Sequence, residues 1–344
     1  MRRRRRERRS ITIKDVAAAA GVGIMTVSRV INSSGYVRQS TRERVTKAIG
    51  ALGYTRNMIA RSLSSRKSQV LSIIVPDMTN AFFSGVARGA ERTARAHGYH
   101  VLIGDSEGTV ENEHAFVETA VSRMADGVIL VAPRMSEADI LRVNSRIPVV
   151  VVDRGMKEPG IGDVYIDNKK GSFAAVEYLI AQGHDRIGFV SGPRNVQNSR
   201  RRRDGYESAL QRHNLPVDVR LICQGRFVCE DGIAACDYFF GLAKPPTAVF
   251  CSNDLMAIGL LHRARERSLS VPEDLSVVGF DDIPLAQWVT PALTTVRHPM
   301  VEMGKCSVEL LLQRVGAVRR CLIQKLENTL IVRASAGPPG GSAE

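Results

Sequence analysis

The sequence predicts two regions of different fold class: a small all-α head that contains a helix-turn-helix, and a large α/β core of two lobes built on parallel sheets. The first observation is charge, since residues 1–68 hold 17 Lys and Arg against 3 Asp and Glu, whereas residues 69–344 hold 31 against 32. The second is periodicity. The basic part has short runs with one apolar face in helical spacing, and the neutral part alternates β-branched runs with helical runs.

The composition is that of an ordinary globular protein. The chain has 344 residues, of which 44% are hydrophobic and 24% charged, which is enough apolar material for two or three domains. No run approaches the roughly 20 apolar residues that cross a bilayer, and no apolar signal segment follows the basic start. Six cysteines without a paired spacing indicate a reducing compartment. We therefore expect a cytoplasmic protein that makes no membrane contact.

Motifs of the common enzyme classes are missing from the sequence. It contains no P-loop, no Gly-x-Gly-x-x-Gly after a strand, no Gly-x-Ser-x-Gly and no His-Glu-x-x-His. Seven histidines are scattered without a catalytic spacing; for His298, a structural role is favoured over a ligand contact. We expect no enzymatic activity, no metal and no cofactor.

The basic charge indicates a polyanionic partner, with double-stranded DNA the main candidate, because it is concentrated in one small domain. A solubilising surface is the alternative, and it would normally mix both signs. Residues 1–10 form a basic arm. The arm would make nonspecific phosphate contacts or have no role, and the sequence leaves both interpretations open.

The head begins with two short helices. Thr12 can cap a helix that starts at Ile13, with Asp15 in a capping-box-like position. Gly21 follows, where a left-handed residue ends a helix. A second helix is predicted for Ile24–Asn32, with one apolar face. Two short helices joined by a tight turn are the layout of a helix-turn-helix, whose second helix enters the major groove.

A third helix completes the head. Ser40 and Glu43 have capping-box spacing and predict a helix over Thr41–Leu52, which Gly53 ends. A three-helix bundle that binds protein rather than DNA remains the alternative on pattern alone. For DNA, the side chains on the second helix whose hydroxyl, amide or guanidinium groups can bond phosphates or bases are Thr26, Ser28, Arg29 and Asn32.

The neutral part alternates strand-like and helix-like runs in two series. The first series of strands is Val70–Val75, Tyr99–Gly104, Gly127–Val131 and Val149–Val152, and the second is Ile187–Val190, Leu221–Cys223, Ala248–Cys251 and Val277–Phe280. Helical runs at 81–98, 110–124, 136–146, 171–182, 201–213, 231–240 and 255–268 separate them. Such alternation predicts parallel sheets with helices on both faces, and two series predict two lobes.

Polar residues follow the ends of these strands, where ligands bind in α/β folds. They include Asp77, Asp153, Asn253 and Asp281. Carboxylates, amides and guanidinium groups bond paired hydroxyls, while aromatic rings cover the apolar face of a sugar. Asp and Asn also cap helices routinely, so Asp77 and Asn253 could have only that role. Their convergence nevertheless favours a polyhydroxylated ligand.

The basic part resembles the DNA-binding end of the lactose/galactose/purine repressor (LacI/GalR) family. The resemblance is carried by ITIKDVAAAAGVGIMTVSRVINSSGYV, TRERVTKAIGALGY and NMIARSL. It implies a helix-turn-helix domain at 11–56, followed by a hinge helix and linker at 57–69. Two positions depart from the family pattern: Gly23 stands where a Ser or Thr cap is usual, and Thr55-Arg56 stands where Ile-Pro is common.

The resemblance also implies which residues contact DNA. Ile24 and Met25 would read the operator by apolar contact, and Leu63 would open a base step in the minor groove. The remaining implied contacts are Thr12, Thr26, Ser28, Arg29, Asn32, Tyr36 and Thr41 in the head and Asn57 and Ala60 in the hinge.

The neutral part is similar to the effector-binding core of the same family, and thereby to periplasmic sugar-binding proteins. The strings include IIVPDMTNAFFSGVARGAE, DGVILVAP, RIGFVSGP, PTAVFCSNDLMAIGLL and VPEDLSVVGFDD. The resemblance implies a periplasmic-binding-protein-like core at 70–333. Its N-lobe would span about 70–166 and 296–325, and its C-lobe about 167–294 and 326–333. Residues 334–344, rich in Gly, Pro and Ser, are predicted to be a disordered tail.

The implied effector contacts lie between the lobes. Asp153, Arg200, Asn253 and Asp281 would bond effector hydroxyls, and Phe82, Phe83 and Trp288 would pack on the ring. Arg200 to Arg203 are four consecutive cations at a predicted helix N-terminus, the unfavourable end for positive charge. An anionic effector would offset that charge; alternatively, only Arg200 faces the cleft.

Together the two parts predict a DNA-binding transcriptional regulator, most simply a repressor. A small sugar or sugar-acid effector between the lobes would control its affinity for the operator. A homodimer would read a near-palindromic operator. A transport-type binding protein would share the core but not the basic head.

Overall fold

The structure is a computed structural model that describes residues 11–32, 34–54, 68–156, 158, 160–316 and 323–340. The chain divides into two compact units, residues 1–68 and 69–344. The predicted basic arm at 1–10 and the predicted hinge contacts Asn57, Ala60 and Leu63 lie outside the described residues.

The described residues of the first unit, 11–32 and 34–54, contain three helices: α1 (Ile13–Ala20), α2 (Ile24–Asn32) and α3 (Gln39–Leu52). Both α1 and α2 span the residues that the sequence predicts. The carboxylate of Asp15 accepts hydrogen bonds from the backbone N–H and hydroxyl of Thr12, each at 2.8 Å. Gly21 has a φ of 59° and ends α1, as a left-handed C-terminal residue does.

The predicted start of α3 is wrong. The helix begins at Gln39, after Arg38, so Ser40 lies inside the first turn and caps nothing. Glu43 does not complete a capping box because its carboxylate accepts a hydrogen bond from the Gln39 side chain at 2.9 Å. Because a hydrogen-bonded pair of side chains four residues apart stabilises a helix, the two residues before Thr41 are helical as well.

Two six-stranded sheets form the second unit. In chain order the strands are β1 (Val70–Val75), β2 (His100–Asp105), β3 (Gly127–Val131), β4 (Val149–Val152), β5 (Gly162–Ile166), β6 (Ile187–Ser191), β7 (Ile222–Gln224), β8 (Ala248–Cys251), β9 (Ser276–Asp281), β10 (Thr294–Arg297), β11 (Ile323–Leu326) and β12 (Thr329–Ile331). The first sheet has the order β11-β5-β4-β3-β1-β2 and the second β12-β10-β9-β8-β6-β7. Every described pairing is parallel except that of β10 with β12.

Helices cover these sheets, so the central strands are apolar along their length, as parallel strands buried on both faces are. The helices are α4 (Ala81–Ala96), α5 (Val110–Ser122), α6 (Glu137–Asn144), α7 (Asn168–Ala181), α8 (Gln197–Arg212), α9 (Cys229–Phe240), α10 (Asp254–Glu266) and α11 (Met300–Val315). This arrangement confirms the predicted fold class.

The chain crosses between the lobes after β5, after β10 and between β11 and β12. The family resemblance implies that the chain passes from the C-lobe to the N-lobe near residues 294–296, but β10 lies wholly in the second sheet, so the crossing follows Arg297. The chain then enters α11, which packs on α4. A Cβ on Gly304 would lie 2.0 Å from the carbonyl oxygen of Val86, so the two helices touch through their backbones.

The predicted disorder of the tail is wrong for residues 334–340, which the structure describes. Ser335 is fully buried. Its hydroxyl donates to the carbonyl of Val277 at 2.6 Å and accepts from the N–H of Thr294 at 2.8 Å. The carbonyl of Gly337 bonds His184 and the hydroxyl of Ser276, each at 2.9 Å. The segment is ordered by backbone pairing to the second lobe, which its small polar composition does not reveal.

Candidate functional site

The outer face of α2 carries exposed apolar side chains. Ile24 is 43% exposed and Met25 69%, whereas Val27 and Val30 on the opposite face are buried. The helix therefore holds its position through one apolar face and presents a second one to solvent. Exposed apolar side chains of this size at the start of a helix suit contact with thymine methyl groups and the groove floor.

Other predicted DNA contacts surround this face. Thr26, Arg29, Tyr36 and Thr41 line one shallow hollow of about 400 Å³. Close by on α2, the Asn32 amide donates to the hydroxyl of Ser28 at 3.2 Å. Thr12 is exposed at the start of α1, and its hydroxyl is held by Asp15.

A cleft of about 480 Å³ lies between the two lobes of the core. The first lobe contributes residues from α4 and from the ends of strands β1, β2 and β4. The second lobe contributes residues from α8 and from the ends of strands β8 and β9. The polar and aromatic lining residues are Asp77, Thr79, Asn80, Phe82, Phe83, Asp105, Glu107, Arg134, Asp153, Asn198, Arg202, Arg226, Phe227, Asn253 and Asp281. The predicted convergence of strand ends is therefore present.

Two buried carboxylates face this cleft from opposite lobes. Asp153 directly follows β4 and has a φ of 58°, and Asp281 ends β9 with a φ of 119°. Such backbone conformations are unfavourable for residues with a Cβ and are found where the surrounding structure imposes them, often at functional sites. Here they turn both side chains out of the strand direction at the edge of the sheet.

Arg202 contacts Asp281 directly and reaches Asp153 through Asn168, whose amide donates to Asp153 Oδ1 at 3.1 Å. Its Nε donates to Asn168 Oδ1 at 2.7 Å, and one Nη donates to the carbonyl of Ser252. The other Nη lies 3.5 Å from Asp281 Oδ1. The guanidinium group stacks 3.8 Å above the ring of Phe280. Arg202 is therefore a buried cation whose partners fix its orientation, and a buried charge needs such partners.

His298 lies between the two carboxylates. Its Nδ1 is 3.4 Å from Asp281 Oδ1 and its Nε2 is 3.6 Å from Asp153 Oδ1. The ring centroid is 4.4 Å from that of Phe82, which also lines the cleft. His298 thus contacts effector-facing groups of both lobes from behind.

Burial raises the pKa of two carboxyl groups, that of Asp153 in the cleft and that of Asp163 next to it. It raises the pKa of Asp153, against the opposing effects of His298 and Arg202. Burial, together with the charge of Asp153, raises the pKa of the neighbouring Asp163 to about 7. Burial therefore disfavours the ionised form of both carboxyl groups.

Most of the predicted effector residues line the cleft, namely Phe82, Phe83, Asp153, Asn253 and Asp281. Asn253 also caps α10, since its Oδ1 accepts from the N–H of Met256 at 3.0 Å. Arg200 and Trp288 are not among the lining residues. Arg200 is exposed outside the cleft, and Trp288 is 76% exposed to solvent.

Arg202 takes the place predicted for Arg200. Asn198 and Arg202 are four residues apart and share one face of α8, whereas Arg200 points elsewhere. Helical periodicity counted from Asn198 would have selected Arg202. Phe227 follows no polar strand-end motif, and the role of His298 depends on contacts between lobes, so neither had a local signal in the sequence.

Two family profiles match the chain. One described as "Bacterial regulatory proteins, lacI family" matches residues 12–57, and one described as "Periplasmic binding protein-like domain" matches residues 176–336. Among relatives, the transcriptional repressor CytR of Escherichia coli (strain K12) is 39% identical over 337 residues, which cover 96% of this chain and 98% of that protein. The transcriptional repressor PurR of Vibrio atlanticus is 36% identical over 307 residues, or 88% and 92% of the two chains.

Solved structures agree with this relationship. The lac repressor dimer bound to operator and the anti-inducer ONPF has a TM-score of 0.87 at 27% identity, covering 96% of this chain and all of that one. The complex of the transcriptional regulator CelR with cellobiose has a TM-score of 0.72 at 31% identity, covering 94% and 99%. Within the described residues, no helix is long and apolar enough to span a membrane. The relatives of this chain are named as repressors rather than enzymes. The chain belongs to the LacI family of bacterial transcriptional repressors, with a DNA-binding head and an effector-binding core.

Proposed function

We propose that the effector of this repressor is a neutral, hydroxyl-rich molecule, a sugar or sugar derivative, held between the lobes. The observation that carries the proposal is the pair of carboxylates, Asp153 and Asp281, that face one cleft from opposite lobes beside the Phe82 and Phe83 rings. A ligand that bonds both would draw the lobes together and thereby favour one arrangement of the core.

Charge in the cleft favours a neutral ligand over a sugar acid. Among the described lining residues, five carry carboxylates and three carry guanidinium groups. Two of those cations are already engaged: Arg202 with Asp281, and Arg226 with Asp231 at 3.0 Å. An anion would therefore meet surplus negative charge. Of the four consecutive arginines, only Arg202 lines the cleft.

Two structural neighbours support a sugar. The CelR structure is a complex with cellobiose. A LacI-family regulator from Enterococcus faecium, with a TM-score of 0.71 at 28% identity over 78% of this chain and 99% of that one, holds bound ribose. A cleft of about 480 Å³ lies in the size range of small-molecule sites, about 300–1,000 Å³.

The protein acts, in this proposal, as a homodimer on a near-palindromic operator. The solved lac repressor neighbour is a dimer on its operator. In this chain, Leu102 and Ile103 on edge strand β2, and Leu285 and Trp288 in the second lobe, expose large apolar side chains. Clustered apolar exposure marks association surfaces, and a second copy would cover these groups by twofold symmetry.

The test of the effector is calorimetric titration of the full-length chain with matched neutral and acidic sugars. A neutral sugar is expected to bind, and Phe83→Ala to weaken it about tenfold or more through lost ring contact. Tyr238→Ala, which removes an exposed aromatic on α9 outside the cleft, should leave affinity unchanged. Tighter binding of the acid than of its neutral counterpart would refute the charge argument.

The operator is tested by selecting genomic fragments with the full-length chain at two salt concentrations. Near-palindromic sites that persist at the higher salt are the expected result, because nonspecific phosphate binding falls steeply with salt. Selection of single half-sites, with a monomeric mass in solution, would contradict the homodimer.

A further inference from the structure

The side chains of the four consecutive arginines at the start of α8, residues 200–203, line three different hollows of the core. Arg202 is buried and lines the effector cleft. Arg201 lines a small hollow of about 210 Å³ beside Asp167 and Lys325. Arg200 and Arg203 line a separate cavity of about 530 Å³, which shares no lining residue with the effector cleft. The effector site proposed above uses only the first of these.

The separate cavity lies where β6 and β7 end and α8 begins. Its lining residues are Ser191, Arg194, Ser199, Arg200, Arg203, Asp204, Ile222 and Gln224. Three guanidinium groups, two hydroxyls and an amide thus surround the space, with one carboxylate.

The positive charge of this cavity is poorly neutralised. No acidic residue lies in the first turn of α8, and Val196 at its N-cap supplies no side-chain bond. Within the described residues, no carboxylate lies within ion-pair distance of Arg194 or Arg200, while Arg203 is bound by Glu207 at 2.7 Å. Cations at a helix N-terminus oppose the helix dipole, so this arrangement is unfavourable until an anion is bound.

A buried hydroxyl in the same cavity lacks a partner. Ser199 is 1% exposed, and its Oγ makes no hydrogen bond to any group in the described part of the chain. Buried polar groups are nearly always bonded, and an exception calls for an unseen partner. A Cβ at position 192 would lie 2.5 Å from this oxygen, so Gly192 leaves the hydroxyl its space.

We propose that this cavity binds an oxyanion of the phosphate type, either free phosphate or the phosphate of a small phosphorylated metabolite. The guanidinium groups of Arg194 and Arg200 bind its oxygens, as arginine forks do, and the Ser199 hydroxyl donates to it. The first turn of α8 adds the favourable end of the helix dipole. The site is independent of the effector cleft and of the sugar proposed there.

The experiment is calorimetric titration of the full-length chain with inorganic phosphate at constant ionic strength, and in parallel with glucose 6-phosphate and glucose. Arg200→Ala is expected to weaken phosphate binding roughly tenfold or more, the usual effect of one charge-assisted bond. The matched control is Arg201→Ala, which removes the same charge one residue along the helix but does not line the cavity. All these side chains are exposed, so the variants should fold.

The outcomes separate the alternatives. Weakening by Arg200→Ala but not by Arg201→Ala supports the site, and tighter binding of glucose 6-phosphate than of phosphate identifies the ligand as a metabolite. Equal loss in both variants shows diffuse attraction only and overturns the proposal, as does absence of phosphate binding. Loss of glucose 6-phosphate binding in Phe83→Ala but not in Arg200→Ala places that ligand in the effector cleft; it overturns the metabolite alternative, and the proposal then stands only for free phosphate.

Discussion

Helix α2 of the head and the cleft between the lobes of the core depart in opposite ways from the usual pattern of buried apolar and exposed charged side chains. On α2, Ile24 and Met25 are apolar and exposed; in the cleft, Asp153, Arg202 and Asp281 are charged and buried. An exposed apolar side chain forgoes burial but leaves the fold intact. A buried charge has a large desolvation penalty and is tolerated only with its partners. Changes to the exposed side chains of α2 should therefore alter binding alone, and changes to the buried charged side chains of the cleft should alter binding and stability together.

The largest expected effect comes from Arg202→Met, which keeps the volume of the side chain and removes its charge. Asp281 would lose its cation, and Asn168 and the Ser252 carbonyl would lose a donor. Breaking a buried pair in this way costs about 3–5 kcal/mol. We expect the free energy of unfolding of the core, measured by urea denaturation, to fall by that amount and effector binding to be lost.

Arg201→Met is the matched control for this prediction. Its side chain is exposed one residue earlier on α8, and surface substitutions usually change stability by less than about 0.5 kcal/mol. Equal stability of the two variants would show that the buried network contributes nothing, and the contrast between head and cleft would then fail.

Asp163→Asn tests the desolvation penalty of a single buried carboxyl. Burial and the charge of Asp153 raise the pKa of Asp163 to about 7, so the folded state holds a proton that the unfolded chain loses near pH 4. Stability from this group is therefore full below the unfolded value and declines as pH rises toward the folded value. Linkage gives a loss of about 2–3 kcal/mol between pH 5 and 8.

The variant should remove that decline, because asparagine does not titrate. We expect Asp163→Asn to be more stable than the wild type at pH 8, with a smaller gain or none at pH 5, in urea denaturation at both values. Parallel pH dependence in the two proteins would show that Asp163 is ionised in the folded state.

The contrast also explains what the sequence could predict. The apolar strands β1, β3, β4 and β8 have the predicted bounds, because buried parallel strands are continuous apolar runs. The situation is different for edge strands β11 and β12 and for the segment 334–340. Their residues are half exposed or polar, and their order depends on partners that are distant in the chain. Local pattern carries no signal for such pairing.

The site divides in the same way. Asp153, Asn253 and Asp281 were predictable because strand ends converge in this fold class. The choice between Arg200 and Arg202 required knowing that Asn198 faces the cleft, because helical periodicity selects Arg202 only when it is counted from that residue. His298 required the closeness of two lobes whose carboxylates are far apart in sequence.

Met25→Ala tests the head side of the comparison. Met25 is 69% exposed, so its truncation should leave thermal unfolding unchanged. Loss of an apolar contact of about 1.5–3 kcal/mol would weaken operator binding by tenfold or more in a titration with the selected fragment. Val27→Ala, two residues further along α2 and fully buried, should instead destabilise the head by about 1–2 kcal/mol. The contrast fails if Met25→Ala destabilises the protein as much as Val27→Ala does.

The smallest predicted effect belongs to His298, which touches the effector-facing groups without lining the cleft itself. His298→Gln keeps polar groups near Asp153 and Asp281 but loses the ring contact with Phe82. Ring pairs contribute about 0.5–1.5 kcal/mol, so affinity for the best-binding neutral sugar should fall about two- to tenfold in calorimetry.

A positioning role and a merely structural one differ in what else changes. If His298 positions both carboxylates, His298→Gln should lower sugar affinity while urea denaturation changes little, and His298→Leu, which supplies no polar partner, should lower both. If His298 only fills space, the His298→Leu protein should bind sugar as tightly as the His298→Gln protein does. A fall in affinity without a fall in stability in His298→Gln would place the histidine with the exposed residues of α2, where binding and stability are separable, and the coupling of the two properties in the cleft would then rest on Arg202 and the carboxylates alone.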